Sequence, residues 1–229
     1  MNSEYFRRSE LLLGTETQRR LANARVILFG VGGVGSWCAE ALIRSGLGAL
    51  TIVDMDVVAP SNINRQLPAT SRTIGQSKVE VMRQRLLDIN PDAEIKAIQQ
   101  RFTAENADEF NLPDYDVVVD AIDSVADKAE LMLRATASGV TLFSSMGAAR
   151  KLDASRVQVK EFWQVKGCPL AAALRSRFKR MERFPQRKFK CVFSDEVLPP
   201  PSSGPNGSIV TITAVWGMTL ASLVIAKLR

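Results

Sequence analysis

Four glycines within six residues, Gly30, Gly32, Gly33 and Gly35, follow directly on the apolar run Val26-Ile27-Leu28-Phe29. Residues of that type and spacing suit a grip on phosphate. Without side chains the chain turns sharply and brings backbone N–H groups against an anion. An acid stands where a ribose hydroxyl needs a partner: Asp54, about 20 residues past the glycines. Together these features say adenine nucleotide, and they leave NAD, FAD, S-adenosylmethionine and ATP open. Glycines serving only a tight strand–helix turn are the weaker alternative, because a strand before them, a helix after them and a second strand ending at Asp54 are all legible.

Later stretches bear on the choice of nucleotide. Asp56 follows Asp54, and the polar run Ser61-Asn62-Ile63-Asn64-Arg65-Gln66 comes soon after. Lys78 opens a predicted helix, and Asp120 and Asp123 close a predicted strand. An NAD site has little use for these groups. A triphosphate with Mg²⁺ uses all of them, because Arg and Lys neutralise phosphate and carboxylates hold a hard cation. Each has a plainer alternative. Asp120 could cap a strand end, Asp56 a turn, and Arg65 and Lys78 could be solvated. A lysine in a helix's first turn is poorly placed for the dipole, however, which favours a bound anion there.

Composition removes other chemistries. The 229 residues contain no histidine. Ser-His-Asp triads, Cys-His dyads and His-ligated metals are therefore excluded, and proton transfer must come from other groups, substrate or water. The three cysteines form no CxxC pair, so no zinc is expected and a reducing, cytoplasmic setting is. The N-terminus lacks the apolar region of a signal peptide. Residues 209–226 are uncharged. Their threonines and a glycine favour a buried C-terminal element over stable membrane insertion.

The elements that must position these groups alternate. Strands are predicted at 26–29, 50–53, 93–99, 116–120 and 141–145, and helices at 36–45, 77–90, 103–110 and 125–138. That alternation predicts an α/β fold with a doubly wound, mainly parallel Rossmann-like sheet and a C-terminal α/β extension. A short amphipathic segment is expected at 5–13 and a short helix at 15–22. Beyond residue 150 the pattern loosens into a strand at 157–162, a helix at 170–183 and a loop at 199–207. The chain reads as one domain over 1–229, with a nucleotide-binding part at 1–150 and a substrate-side extension at 151–229.

The motifs GVGGVGS at 30–36, DMD at 54–56, SNINRQ at 61–66, GQSK at 75–78 and DAID at 120–123 together resemble the E1-like adenylating enzymes, over nearly the whole chain. The resemblance implies that a substrate carboxylate attacks the α-phosphate of ATP, giving an acyl-adenylate and pyrophosphate. It implies that Asp54 holds the ribose, that Gly33, Asn62, Arg65 and Lys78 contact the phosphates, and that Asp123 holds Mg²⁺. Gly30, Gly32, Gly35, Asp56, Ser61, Gln66 and Ser124 complete the implied nucleotide site. Arg8, within FRRSELLLG, looks like the family's arginine that reaches the γ-phosphate of a neighbouring subunit, which implies a homodimer. Arg8, Arg65, Lys78 and Asp123 are then the expected catalytic set. The carrier-activating branches usually hold zinc on two CxxC pairs, which are missing here. GVGSWCAEALIRSGLG, VDAIDSV, KCVFSDE around Cys191, and GSIVTITAVWG are more similar to the branch that cyclises N6-threonylcarbamoyladenosine in tRNA. That branch implies tRNA as substrate, and the superfamily suggests a sulfur-relay or carrier protein as a further partner. The chain is shorter than expected for that branch around 185–208. Adenylation of a ubiquitin-like or sulfur-carrier C-terminus is the alternative activity.

The charge distribution points to RNA on its own. The chain's formal net charge is +6. Between 175 and 190 stand Arg175, Arg177, Lys179, Arg180, Arg183, Arg187, Lys188 and Lys190 against Glu182 alone, a local net of +7, so the remaining residues sum to −1. Phe178, Phe184 and Phe189 are interleaved, and cations with aromatics suit a phosphate backbone and exposed bases. A solvated helix face over core phenylalanines is the plainer alternative. Some E1 relatives place a reactive cysteine where Cys191 stands, but ring closure needs no thioester and a structural role is expected for it.

Overall fold

A computed structural model of the chain describes residues 3–199, 203–204 and 206–229. The predicted loop at 199–207 falls partly outside them, at 200–202 and 205. The sheet starts from β1 (Arg25–Phe29), whose apolar run is buried on both faces and pairs in parallel with β2 (Ala49–Val53) and β4 (Val117–Asp120). β3 (Glu94–Ile98) pairs with β2, and β5 (Thr141–Ser145) with β4, both in parallel. β7 (Lys190–Ser194) adds in parallel to β5, and β6 (Val157–Glu161) closes the edge antiparallel to β7. The seven strands lie in the order β3-β2-β1-β4-β5-β7-β6, a doubly wound sheet with ligand space at the carboxyl ends of its central strands.

Helices cover both faces. α3 (Gly35–Arg44), α4 (Lys78–Ile89) and α7 (Val210–Leu228) pack on one, through Leu42, Met82, Leu86, Trp216 and Leu220. α5 (Val125–Ser138) and α6 (Pro169–Met181) pack on the other, through Leu131, Met132, Leu174 and Phe178. α1 (Ser3–Leu13) and α2 (Thr15–Asn23) lie beside the β1–β2 end, where Phe6 and Gln18 pack at Gly46. α7 is long and apolar enough to cross a membrane, yet one side of it is bound into the core. A Cβ on Gly217 would stand 2.5 Å from the Val34 carbonyl and 2.8 Å from the Cys38 nitrogen, so only glycine lets α7 lie this close to α3.

Two details depart from expectation. The predicted helix at 103–110 is reduced to a 3₁₀ turn at Ala107–Phe110, because Asn106 accepts from Thr103 N and donates to Arg101 O, using its side chain to hold a loop. The stretch KCVFS, not predicted as a strand, is β7. It sits inside the sheet although it comes late in the chain.

Candidate active site

The glycine loop is shaped by close approach of backbone. Gly30 has φ 90°, and a Cβ there would stand 2.7 Å from the Ala121 carbonyl, so the loop after β1 rests directly on the loop after β4. Gly35 is buried and is not among the residues lining the cleft; a Cβ on it would run into the Gly30 carbonyl. Gly30, Gly32 and Gly33 line a cleft of about 760 Å³, and α3 begins right behind them, so its N-terminal N–H groups face the same space. Thr213 of α7 and Arg65 close over Gly33, each within 3.3 Å of where a Cβ would be.

Asp54 sits at the end of β2 and ties the loops together. Its carboxylate accepts from Val31 N at 2.6 Å and from Asp56 N at 2.9 Å. Burial pushes its pKa up, against the opposing pull of these two N–H groups and the Lys78 charge. Lys78 is buried at the start of α4 and donates to the half-exposed Asp56 at 2.8 Å. Its ammonium is thus held at the cleft wall by an acid that water also reaches.

The segment after β2 delivers the polar groups. Asn62 is buried and accepts from Ala59 N at 3.1 Å, which folds the 3₁₀ turn Pro60–Asn62. Arg65 is anchored by its own neighbours, donating to Ser61 O and Asn64 Oδ1, both at 2.8 Å. Trp37 fixes the Arg65 carbonyl at 3.1 Å, and Asn64 donates to Ser208 O at 2.8 Å. Gln66 is buried in the cleft wall, and its Oε1 has no hydrogen-bond partner in the protein. A buried polar atom left without a partner fits a site built for a ligand. Ser61 does not line the cleft and acts only through its carbonyl.

β4 presents two aspartates with different fates. Asp120 is fully buried. It pairs with Lys128 Nζ at 2.9 Å and accepts from Ser144 Oγ at 2.7 Å, a structural use. Asp123 is exposed in the cleft wall and has no hydrogen bond or ion pair among the described residues. Ser124 beside it caps α5 by accepting from Asp127 N. The structure thus gathers Gly30, Gly32, Gly33, Asp54, Asp56, Asn62, Arg65, Gln66, Lys78, Asp123 and Ser124 around one cleft. A glycine cradle, two cations and a free carboxylate are what a triphosphate with a hard cation requires.

Other residues lie elsewhere. Arg8 is exposed on α1 and does not line this cleft. The basic segment runs along α6 and on to the amino end of β7, away from the carboxyl ends of the strands. Cys191 is buried, and burial pushes its thiol well above the usual range; Cys38 is shifted up by burial too. Neither is set up as a nucleophile. Residues not foreseen in the cleft include Phe102, Gly147, Leu170, Asn206 and Thr213. They arrive through packing of distant segments and carry no local motif.

Comparison with known proteins adds to this geometry. A family model described as the ThiF family matches residues 6–229. The chain is 40% identical to the tRNA threonylcarbamoyladenosine dehydratase of Bacillus subtilis strain 168 over 191 residues, 83% of this chain and 74% of that one. It is similar in structure to the Escherichia coli tRNA N6-threonylcarbamoyladenosine dehydratase in complex with AMP, with TM-score 0.93, 34% identity, and 99% and 94% of the two chains covered. The same Escherichia coli protein in complex with ATP gives TM-score 0.92 and 34% identity at the same coverage.

Proposed function

Because the chain belongs to the ThiF family, we propose from its cleft a concrete reaction. The protein is an ATP-dependent tRNA-modifying enzyme that activates the carboxylate of N6-threonylcarbamoyladenosine and drives its dehydration to a cyclic form. The observation that carries the reading is the cleft itself, which Asp123, without a partner among the described residues, lines together with the glycine loop, Arg65 and Lys78, in a chain similar to these dehydratases over nearly its whole length.

ATP fits the residues present. Asp54 meets the ribose, and the glycine loop and the start of α3 receive the phosphates. Gln66 Oε1 is free to accept. Arg65 and Lys78 balance the charge that builds on the α-phosphate and on departing pyrophosphate. Asp123 would hold Mg²⁺ through a carboxylate oxygen, and the ion would supply charge against the phosphates. No group of three or more ligating side chains gathers among the described residues, so phosphate and water would fill the rest of the ion's shell.

In the first step a substrate carboxylate oxygen forms a bond to the α-phosphorus, and the bond to the β-phosphate oxygen breaks, releasing pyrophosphate. In the second, the neighbouring carbamoyl group attacks the activated acyl carbon, AMP leaves with the bonding pair, and the attacking group loses a proton. No histidine or enzyme nucleophile is needed, which suits a chain with buried cysteines.

Arg8 belongs in the site of a second copy. α1 exposes Leu11 and Leu12, and the stretch after β2 exposes Met55, Val57, Ile63 and Ile74. A two-fold dimer that buries one patch on the other would carry Arg8 toward the partner's phosphates. The chain acts as one adenylation unit, with 1–150 holding nucleotide and 151–229 facing substrate. Its reaction belongs to the cytoplasm, where tRNA and ATP meet. The cations of 175–190 bind the RNA backbone.

Pyrophosphate release tests the reading. tRNA carrying threonylcarbamoyladenosine should stimulate it, and tRNA lacking the modification should not. Stimulation instead by a Gly-Gly-ended carrier protein would move the enzyme to the carrier-activating branch.

A further inference from the structure

Leu170, in the first turn of α6, lines the nucleotide cleft, and the whole helix spans 13 residues from Pro169 to Met181, about 20 Å at helical rise. At its far end five aromatic rings meet. Phe162, Phe178 and Phe189 are buried. Phe162 stacks on Phe189 at 5.3 Å and meets Phe178 edge-on at 5.9 Å. Trp163 and Phe184 form the outer side of this cluster, with centroids 6.3 Å apart, and are 42% and 49% exposed. Trp163 rests edge-on against Phe162 at 5.1 Å and tilted against Phe178 at 6.5 Å. Trp163 is therefore seated on a buried aromatic base, and Phe184 is held through Trp163.

Cations flank Phe178 along the same helix. Arg177, Lys179 and Arg180 of α6 form no ion pair or side-chain hydrogen bond among the described residues. Arg183 is partly spent on Glu130 at 3.3 Å. The patch lies by the β6–β7 edge, whereas α1, with its exposed leucines, lies by β1 and β2. It is thus separate from the surface assigned to the second copy.

We propose that Trp163 and Phe184 form a stacking platform for unpaired bases of the RNA substrate, whose phosphates are held by the unpaired cations at the end of α6. This rests on the reading of the protein as a tRNA-modifying enzyme. Every base has a π-face, so exposed aromatic rings beside cations bind unpaired nucleotides without sequence readout. A duplex hides its base faces and would meet the cations alone. A folded tRNA is larger than the separation between platform and cleft, so one molecule can fill the cleft and rest on the platform.

The test titrates a short hairpin RNA with an open loop, and the same stem as a blunt duplex, into the full chain without ATP. Trp163 is the most exposed of the three tryptophans, Trp216 being fully buried, so its fluorescence should be quenched by the hairpin and not by the duplex. Trp163→Ala with Phe184→Ala should weaken hairpin binding about tenfold or more and leave duplex binding as it was. Trp163→Phe should lose the quenching and keep the affinity. Wild-type hairpin affinity in the double variant, or an equal loss for hairpin and duplex, would overturn the platform. If the unaltered protein dehydrates modified tRNA and the double variant binds and turns over unchanged, only the platform falls. If the unaltered protein binds neither RNA, the functional reading falls with it.

Discussion

The carboxylate of Asp123 reaches the cleft from the loop after β4 with no partner among the described residues, so removing its charge should spare the fold and cripple the chemistry. Asp123→Asn is expected to unfold at the wild-type urea midpoint while pyrophosphate formation falls by about two orders of magnitude or more. Wild-type turnover would remove Asp123 from the proposed metal-holding role. Asp54 makes a different prediction. Burial raises its pKa, so its charge, and with it the proposed hold on ribose, is lost as pH falls through a value above the usual carboxylate pKa of about 3.9. ATP affinity measured against pH should drop on acidification through that raised value, and Asp54→Asn should show no such drop. The same shift has a stability consequence. The folded state favours protonated Asp54, so its contribution to folding falls as pH rises from the ordinary value to the raised one and is constant above it. Asp54 could be read from the sequence because its spacing from the glycines is a local regularity. Lys128 could not, because its role depends on lying under Asp120, a contact made only when α5 packs on β4.

At the scale of elements, the β4–α5 connection carries the site. Lys128 and Asp120 are both fully buried, and Lys128 Nζ also donates to the Ile122 carbonyl at 2.9 Å, next to Asp123. Lys128→Met leaves Asp120 buried and uncompensated, which should cost about 3–5 kcal/mol in urea unfolding. Adding Asp120→Asn should recover much of that loss. No recovery would mean that the pair does not act as a unit. The strands and helices of the first 150 residues could be read because each alternates locally between β and helical periods. β7 could not. Its five residues, KCVFS, follow a basic, irregular stretch, and their place between β5 and β6 is a long-range pairing. α7 was ambiguous for the same reason. Its composition suits a bilayer, and only the close fit of Gly217 to α3 shows what covers it. The aromatic platform was half legible. Phe184 stood out among the cations, whereas Trp163 joins it from another segment.

At the scale of the molecule, the cleft and Arg8 sit apart in one chain, which the proposed two-fold dimer would bring together. Arg8→Ala and Asp123→Ala should each be inactive alone. Coexpressed, they should regain about a quarter of wild-type activity, because half of the dimers are mixed and each mixed dimer has one intact site under two-fold symmetry. No regain on mixing would show that Arg8 does not act across subunits. The central claim is the reaction itself. Its direct test is to incubate the protein with ATP, Mg²⁺ and tRNA carrying threonylcarbamoyladenosine and to weigh the nucleosides by mass spectrometry. The account predicts that the modified adenosine loses one water, and only when ATP is present. An unchanged nucleoside mass, with pyrophosphate exchange driven by a Gly-Gly-ended protein instead, would contradict it.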